Sequence, residues 1–323
     1  VRTIRAFSAL AAAALVSTTL NVAAEADPGG SSPRSTAVVT SRGHVSAAPT
    51  GRRTAREVRS YWTSARMRAA LPIEDLVDGL SLGSSGGNGS GDDATRTAPR
   101  DVRAPKSTGK LFFNVNGADA VCTASAIDTK KRNQVITAGH CVHTGPNVGL
   151  LQQPHFYSDW LYVPRYRNGR APLGEWVANN AWAFDGWIND EDFTFDQAIV
   201  AFKRHGRKRL VDETGGNEVV WGKAPREWGV RIWGWPAEAP YDGETAKRCD
   251  GRTVRFEEGE DASMHDCPLT GGASGGPWLL PRGRTDNTGR IWAVTSRRVL
   301  DDPILLARPI PSEMRRMIRT ANG

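Results

Sequence analysis

From Lys110 onward, short apolar runs alternate with polar, turn-forming clusters. The runs LFFNV, VCTASAI, QVITAG, FDQAIVAF, GVRIWGW, PWLL and IWAVT are rich in β-branched and aromatic residues, and Gly, Pro, Asn and Asp separate them. Runs of this length and punctuation predict many short antiparallel strands. Only two stretches carry a helical period. In residues 54–76, Val58, Tyr61, Trp62, Ala65 and Ala69 recur at spacings of three and four, and Pro72 ends the pattern, which predicts a helix near 54–71. In residues 311–320, an opening proline and the stripe Met314, Met317 and Ile318 predict a terminal helix. Strands followed by one closing helix imply an all-β barrel or sandwich. No internal repeat interrupts them.

Between and before these stretches the texture is different. Residues 25–53 and 81–107 are rich in Ser, Thr, Pro and Gly and poor in large apolar side chains. Such composition predicts segments that cannot bury enough surface to offset chain entropy. A lone helix between two such tethers has no core of its own and must dock on the body or stay marginal. Residues 1–24 read as a secretory signal peptide: Arg2 and Arg5 flank a short run of small and apolar residues ending in Val22, Ala23 and Ala24. The expected organisation is therefore a signal peptide (1–24), a propeptide with linker (25–107) and a globular domain (108–323). Secretion and no membrane attachment after signal cleavage follow from that reading.

The chain of 323 residues is 39% hydrophobic and has 34 glycines, a globular composition that excludes wholesale disorder, collagen and a polytopic membrane protein. The net charge of +7 changes the picture little. Most of it lies in the first third, and the remainder is nearly balanced, so bulk charge gives no support to a nucleic-acid partner. In an oxidising compartment the four cysteines read first as disulfides, with free thiols as the alternative.

Three segments carry the candidate chemistry. VITAGHC brings His140 to the end of an apolar strand; FDQAIV sets Asp196 at the mouth of another; GGASGGP holds Ser274 in a glycine-rich turn. An alcohol becomes a nucleophile when a base takes its proton, and the base needs a carboxylate to fix its tautomer. A developing oxyanion needs backbone amides at close approach, hence glycine. Asp185 and Asp192 compete for the carboxylate role; Asp196 is preferred because it alone abuts the apolar run AIVAF. His140, Cys141 and His143 also cluster as metal-ligand types, but no fourth ligand lies at zinc-like spacing, so no metal and no cofactor are expected.

Taken jointly, TAGHC, the Asp196 segment and GASGGP, in the order His–Asp–Ser, resemble the trypsin/chymotrypsin-like serine proteases over residues 108–323. The run VRIWGWP at 230–236 is similar to a segment of their secreted bacterial branch, which includes the glutamyl endopeptidases. Tyr61, Trp62, Thr63, Arg66 and Met67 look like prosegments of actinobacterial relatives. The resemblance implies a double antiparallel β-barrel and a secreted, monomeric serine endopeptidase whose partners are a protein or peptide substrate and its own propeptide. It implies His140 as base, Asp196 as its orienter, Ser274 as nucleophile, and the amides of Gly272 and Ser274 as oxyanion donors. It implies a bridge between Cys122 and Cys141, which leaves Cys249 and Cys267 as a second pair. A catalytically silent relative that binds peptides or a cell-wall component is the alternative.

The departures matter as well. Ala273 stands where animal trypsins place the aspartate that receives a new amino terminus, so activation needs another route. The expectation is that the helix around Tyr61 and Trp62 covers the cleft until the linker is cut. The pocket walls implied are Pro268, Leu269 and Thr270 before the serine, and Thr295, Ser296 and Arg297 after it. No carboxylate stands at the pocket base, Arg297 and Arg298 read first as surface charge, and Thr295 is the expected hydrogen-bond donor to Asp196. A sugar-stacking role for Trp182 and Trp187 is the weaker alternative to core packing.

Overall fold

Six strands close into a ring, four of them formed by the apolar runs named above. Thr108–Val115, Ala118–Ile127, Gln134–Thr137, Ala198–Phe202, Trp176–Phe184 and Ser158–Pro164 pair antiparallel in that spatial order, and the last pairs back on the first. Closure leaves no unpaired edge among them. Gln134–Thr137 and Ala198–Phe202 are buried along their whole length. That is why their sequences read as continuous apolar runs rather than as alternations. The interior is filled by Leu111, Phe113, Val135, Trp160 and Val200 among others.

This computed structural model describes residues 41–323, apart from 52, 78–80, 83–99, 149–152, 258, 282–288 and 301. These residues fall in one compact unit, Val39–Gly323. The expected signal peptide and the start of the expected propeptide lie outside the described residues, as does most of the linker. No described helix is long and apolar enough to cross a membrane.

The second half is built from two sheets around one core. The first runs Glu218–Val219, Gly289–Val294, Pro277–Pro281, Val230–Gly234, Lys247–Gly251 and Arg100–Asp101; the second runs Val254–Arg255, Ala262–Met264, Leu305–Ala307, Arg297–Val299 and Ser81–Leu82. Val230, Ile232, Met264, Trp278, Trp292 and Leu305 from both sheets share that core. The fold is thus mostly β and chymotrypsin-like. The terminal helix forms over Met314–Asn322 and buries Met314, Met317 and Ala321, in line with the expected stripe.

The leader departs from its expected form in two ways. The single helix is two, Ala55–Tyr61 and Ser64–Ala69. Each has its own N-cap: the Thr54 hydroxyl accepts from the Glu57 amide in a capping box, and the Thr63 hydroxyl accepts from the Arg66 amide. A threonine that satisfies the first amides of a new helix is a start signal, and Thr63 outweighs the continuous apolar period. Second, Val45–Pro49, within a stretch expected to be unable to order, pairs antiparallel with Trp176–Phe184. Backbone pairing on an existing sheet needs no large side chains, so Val-Ser-Ala-Ala-Pro suffices there.

Both leader helices dock on the first barrel. Trp62 is 1% exposed, its indole donates to the Asp159 carbonyl at 2.8 Å, and its ring packs on Phe112. Val58 and Met67 are buried in the same cluster, together with Tyr166 and Trp235.

Candidate active site

The histidine strand, Gln134–Thr137, ends in a short 3-10 turn over Gly139–Cys141, which aims the His140 ring inward. Gly139 is required there: a Cβ would lie 2.9 Å from Trp187 and 3.0 Å from an Asp196 carboxylate oxygen. Asp196 follows the turn Phe193–Phe195 and opens the buried strand Ala198–Phe202. It is fully buried. Its Oδ1 accepts from the His140 amide at 2.9 Å, and His140 Nδ1 lies 2.9 Å from Oδ2. The two competing aspartates are occupied elsewhere. Asp192 caps the following turn by accepting from the Thr194 amide, and Asp185 accepts from the Ser46 hydroxyl.

Ser274 arrives from the other half, in the turn before Pro277–Pro281. Strand Ala118–Ile127 of the first barrel holds that turn. The Thr123 amide donates to the Ser274 carbonyl at 2.8 Å, and the Thr123 hydroxyl donates to the Gly272 carbonyl at 2.9 Å. Gly272 has φ +89°, and a Cβ there would lie 2.7 Å from the Trp235 carbonyl. Only glycine presents its amide toward the cleft in that conformation.

Burial pulls the His140 imidazole toward lower pKa, but Asp196, in contact and hydrogen-bonded, and Glu74 outweigh it, so the ring is held above the ordinary histidine value. His140 Nε2 is buried and has no hydrogen-bond partner. Trp187 packs edge-on against the ring at 5.9 Å and donates its indole N–H to the His143 carbonyl. Trp187 and Trp182 are both buried, so core packing accounts for them and a stacking surface does not.

Cys122 is bridged to Cys141, and Cys249 to Cys267. Cys122, His140 and Cys141 are close enough to resemble a metal cluster, but the bridged sulfurs offer no thiolate. His143 accepts from the Gly145 amide. Each bridge closes a loop of 19 or 18 residues. Replacing Cys249 and Cys267 together by serine is expected to lower the unfolding free energy by about 3 kcal/mol, read by denaturant titration. A change below about 1 kcal/mol would show that the bridge does not constrain the unfolded chain.

The pocket beside Ser274 is lined by Leu269, Thr270, Gly271, Thr295, Arg297, Arg298 and Leu305, together with Glu74 from the leader. Its remaining volume is about 10 Å³, room for about one water. Three expectations are corrected. Pro268 does not line it. Ser296, rather than Thr295, donates to Asp196, at 2.6 Å to Oδ2, while the Thr295 hydroxyl accepts from the Trp278 indole at 3.0 Å. Adjacent residues of extended chain point to opposite sides, so one of the two lines the pocket and the other turns to the aspartate. Arg297 and Arg298 are not loose surface charges. Arg297 pairs with Asp261 and stacks over the Phe193 ring at 3.9 Å, and Arg298 pairs with Glu238 at 2.6 Å.

The leader helix carrying Tyr61 and Trp62 does not cover the cleft; it lies on the barrel, with the Tyr61 hydroxyl donating to Asp119. The chain just after it does enter the site. Leu71–Pro72 pairs parallel with Ala120–Val121, and Glu74 then reaches Ser274. The sequence holds no signal for this. Glu74 lies in the mixed stretch Leu-Pro-Ile-Glu-Asp-Leu-Val, which carries no catalytic motif, and its contact spans 200 residues.

No family model and no curated relative matches the sequence. Solved structures do. The protease Anisep from Arthrobacter nicotinovorans is 26% identical, with a TM-score of 0.62 over 69% of this chain and 99% of its own. The thermostable serine protease AL20 from an extremophilic microorganism is also 26% identical, with a TM-score of 0.60 over 67% of this chain and 97% of its own. A Glu endopeptidase shares the fold at 18% identity, with a TM-score of 0.53 over 72% and 97% of the two chains. The likenesses to Anisep and AL20, together with the fold and the site geometry, support a protease function of the serine class. Within it, the chain is trypsin/chymotrypsin-like.

Proposed function

We propose that the protein is a secreted serine endopeptidase that hydrolyses peptide bonds through an acyl-enzyme. The observations that carry this reading are the buried His140–Asp196 pair and the nearness of Ser274 to it: the adjacent Gly275 abuts Thr137 and Ala138 of the histidine segment, and Glu74, bonded to Ser274, acts on the charge of His140. In the reaction, Ser274 Oγ attacks the scissile carbonyl carbon while its proton passes to His140 Nε2. Asp196 holds the Nδ1–H tautomer and stabilises the imidazolium. The amides of Gly272 and Ser274 receive the oxyanion of the tetrahedral intermediate. Collapse expels the amine, which takes its proton from Nε2 and leaves Ser274 as an ester. A water, deprotonated by the same nitrogen, attacks the ester and frees Ser274.

Secretion rests on the charged and apolar pattern of residues 1–24 and on the two disulfides, which suit an oxidising compartment. A peptide-binding relative without catalysis is less well supported, because every group the reaction needs is present. A fluorophosphonate is the test. Covalent labelling of the processed protein that disappears in Ser274→Ala supports the enzyme; a processed protein that takes no label refutes it.

The raised His140 pKa also predicts a pH profile. The ring acts as base only when neutral, so the acid limb of kcat/KM is expected above the ordinary histidine value of about 6.5. The same shift has a stability counterpart. Extra proton affinity in the folded state adds stability below the unfolded-state pKa and is lost as pH rises through the folded one. An acid limb well below pH 6 in the processed enzyme would contradict the assignment of Asp196 as a group that holds the ring charged.

A further inference from the structure

The leader ends in a side chain that occupies both parts of the reaction centre. One carboxylate oxygen of Glu74 accepts from the Gly272 amide at 3.0 Å. The other accepts a short hydrogen bond from the Ser274 hydroxyl. The consequence is visible on the base: the serine proton points to Glu74, and His140 Nε2 is left buried without a partner. Nucleophile, base and oxyanion donor are thus all disengaged from one another by one side chain.

We propose that Glu74 is a tethered inhibitor of the site, which keeps the uncut chain latent by standing where the oxyanion of the reaction would form. This rests on the endopeptidase reading above and adds to it the regulation of that site. A carboxylate suits the task chemically. It carries the negative charge that the Gly272 amide is placed to receive, and its resonance-stabilised carbon is a poor electrophile, so Ser274 cannot acylate on it.

The backbone around Glu74 adds a second reason for latency. On one side of Glu74, Leu71–Pro72 runs parallel to Ala120–Val121 of the first barrel. On the other side, Ser81–Leu82 runs parallel to Arg298–Val299 of the second half. The leader therefore bridges the two halves across the site, and the group it presents to Ser274 is a side chain rather than a peptide carbonyl. Ile73 is fully buried, and the capped helices with Trp62 anchor the approach, so Glu74 is held at high effective concentration. A cut between Glu74 and Ser81 leaves Glu74 tethered through the first of these anchors alone.

The test is the rate of fluorophosphonate labelling of Ser274 in the full, uncut chain, with intactness checked by mass. Glu74→Ala is expected to label at least about tenfold faster than the wild type, since two hydrogen bonds to a charged acceptor are lost. Glu74→Gln keeps the shape and hence the fold. Its carbonyl can still accept from Gly272, but its amide cannot accept from Ser274, so an intermediate rate is expected. Asp75→Asn removes the same charge one residue along, at an exposed position, and is expected to match the wild type. Uncut wild type that labels as fast as Glu74→Ala overturns the inhibitory role and leaves the endopeptidase reading standing. Absence of label from every form, cut and uncut, overturns that reading and this proposal with it.

Discussion

Asparagine at position 196 is expected to lower kcat of the processed enzyme by about 10⁴, with KM nearly unchanged. Asp196 accepts at once from the His140 amide, from the ring and from Ser296. An amide NH₂ in its place presents a donor to Nδ1. That favours the tautomer with the proton on Nε2, where the serine proton has to go. The buried site gives the lost charge no water to replace it. The measurement is steady-state hydrolysis of a peptide substrate, with a circular dichroism spectrum to show the fold intact. A variant within tenfold of wild type would remove Asp196 from its proposed role.

Alanine in place of Trp62 is expected to cost about 3–5 kcal/mol of leader docking. The side chain is almost fully buried, packs on Phe112, and satisfies its own N–H with the Asp159 carbonyl. Its removal leaves both a cavity and an unpaired carbonyl. Hydrogen exchange of the amides in Ala55–Tyr61 and Ser64–Ala69 is the direct readout, because local opening of the leader need not unfold the barrel. Unchanged protection there would show that the leader is held by something other than this ring. The same variant bears on latency, since Glu74 is positioned only while the leader is docked.

How much of this was legible beforehand varies along the chain. Four of the six strands of the first barrel were readable because each is a short apolar run closed by turn residues, and the terminal helix because its methionines fall on one stripe; Ser158–Pro164 and Trp176–Phe184 were not singled out. The triad residues were readable as types in a local setting: a histidine after an apolar strand, an aspartate before one, a serine among glycines. Thr295 and Ser296 were assigned the wrong way round, since which of two neighbours faces an aspartate depends on the path of the chain, not on its composition. The leader was misjudged for a related reason. Its apolar period was visible, but the surface it would meet was not.

Local preferences and periodicity, encoded within a few residues of one another, sufficed to assign most strands of the first barrel, the terminal helix, the glycine turn and the chemical types at the site. Contacts between segments tens to hundreds of residues apart were decided only by folding: Thr123 holding the serine turn, Ser296 on Asp196, the arginines taken up by Asp261 and Glu238, and Glu74 on Ser274. Such contacts depend on where two finished surfaces come to lie. That placement is set by the packing of the whole core, which no stretch of sequence states on its own.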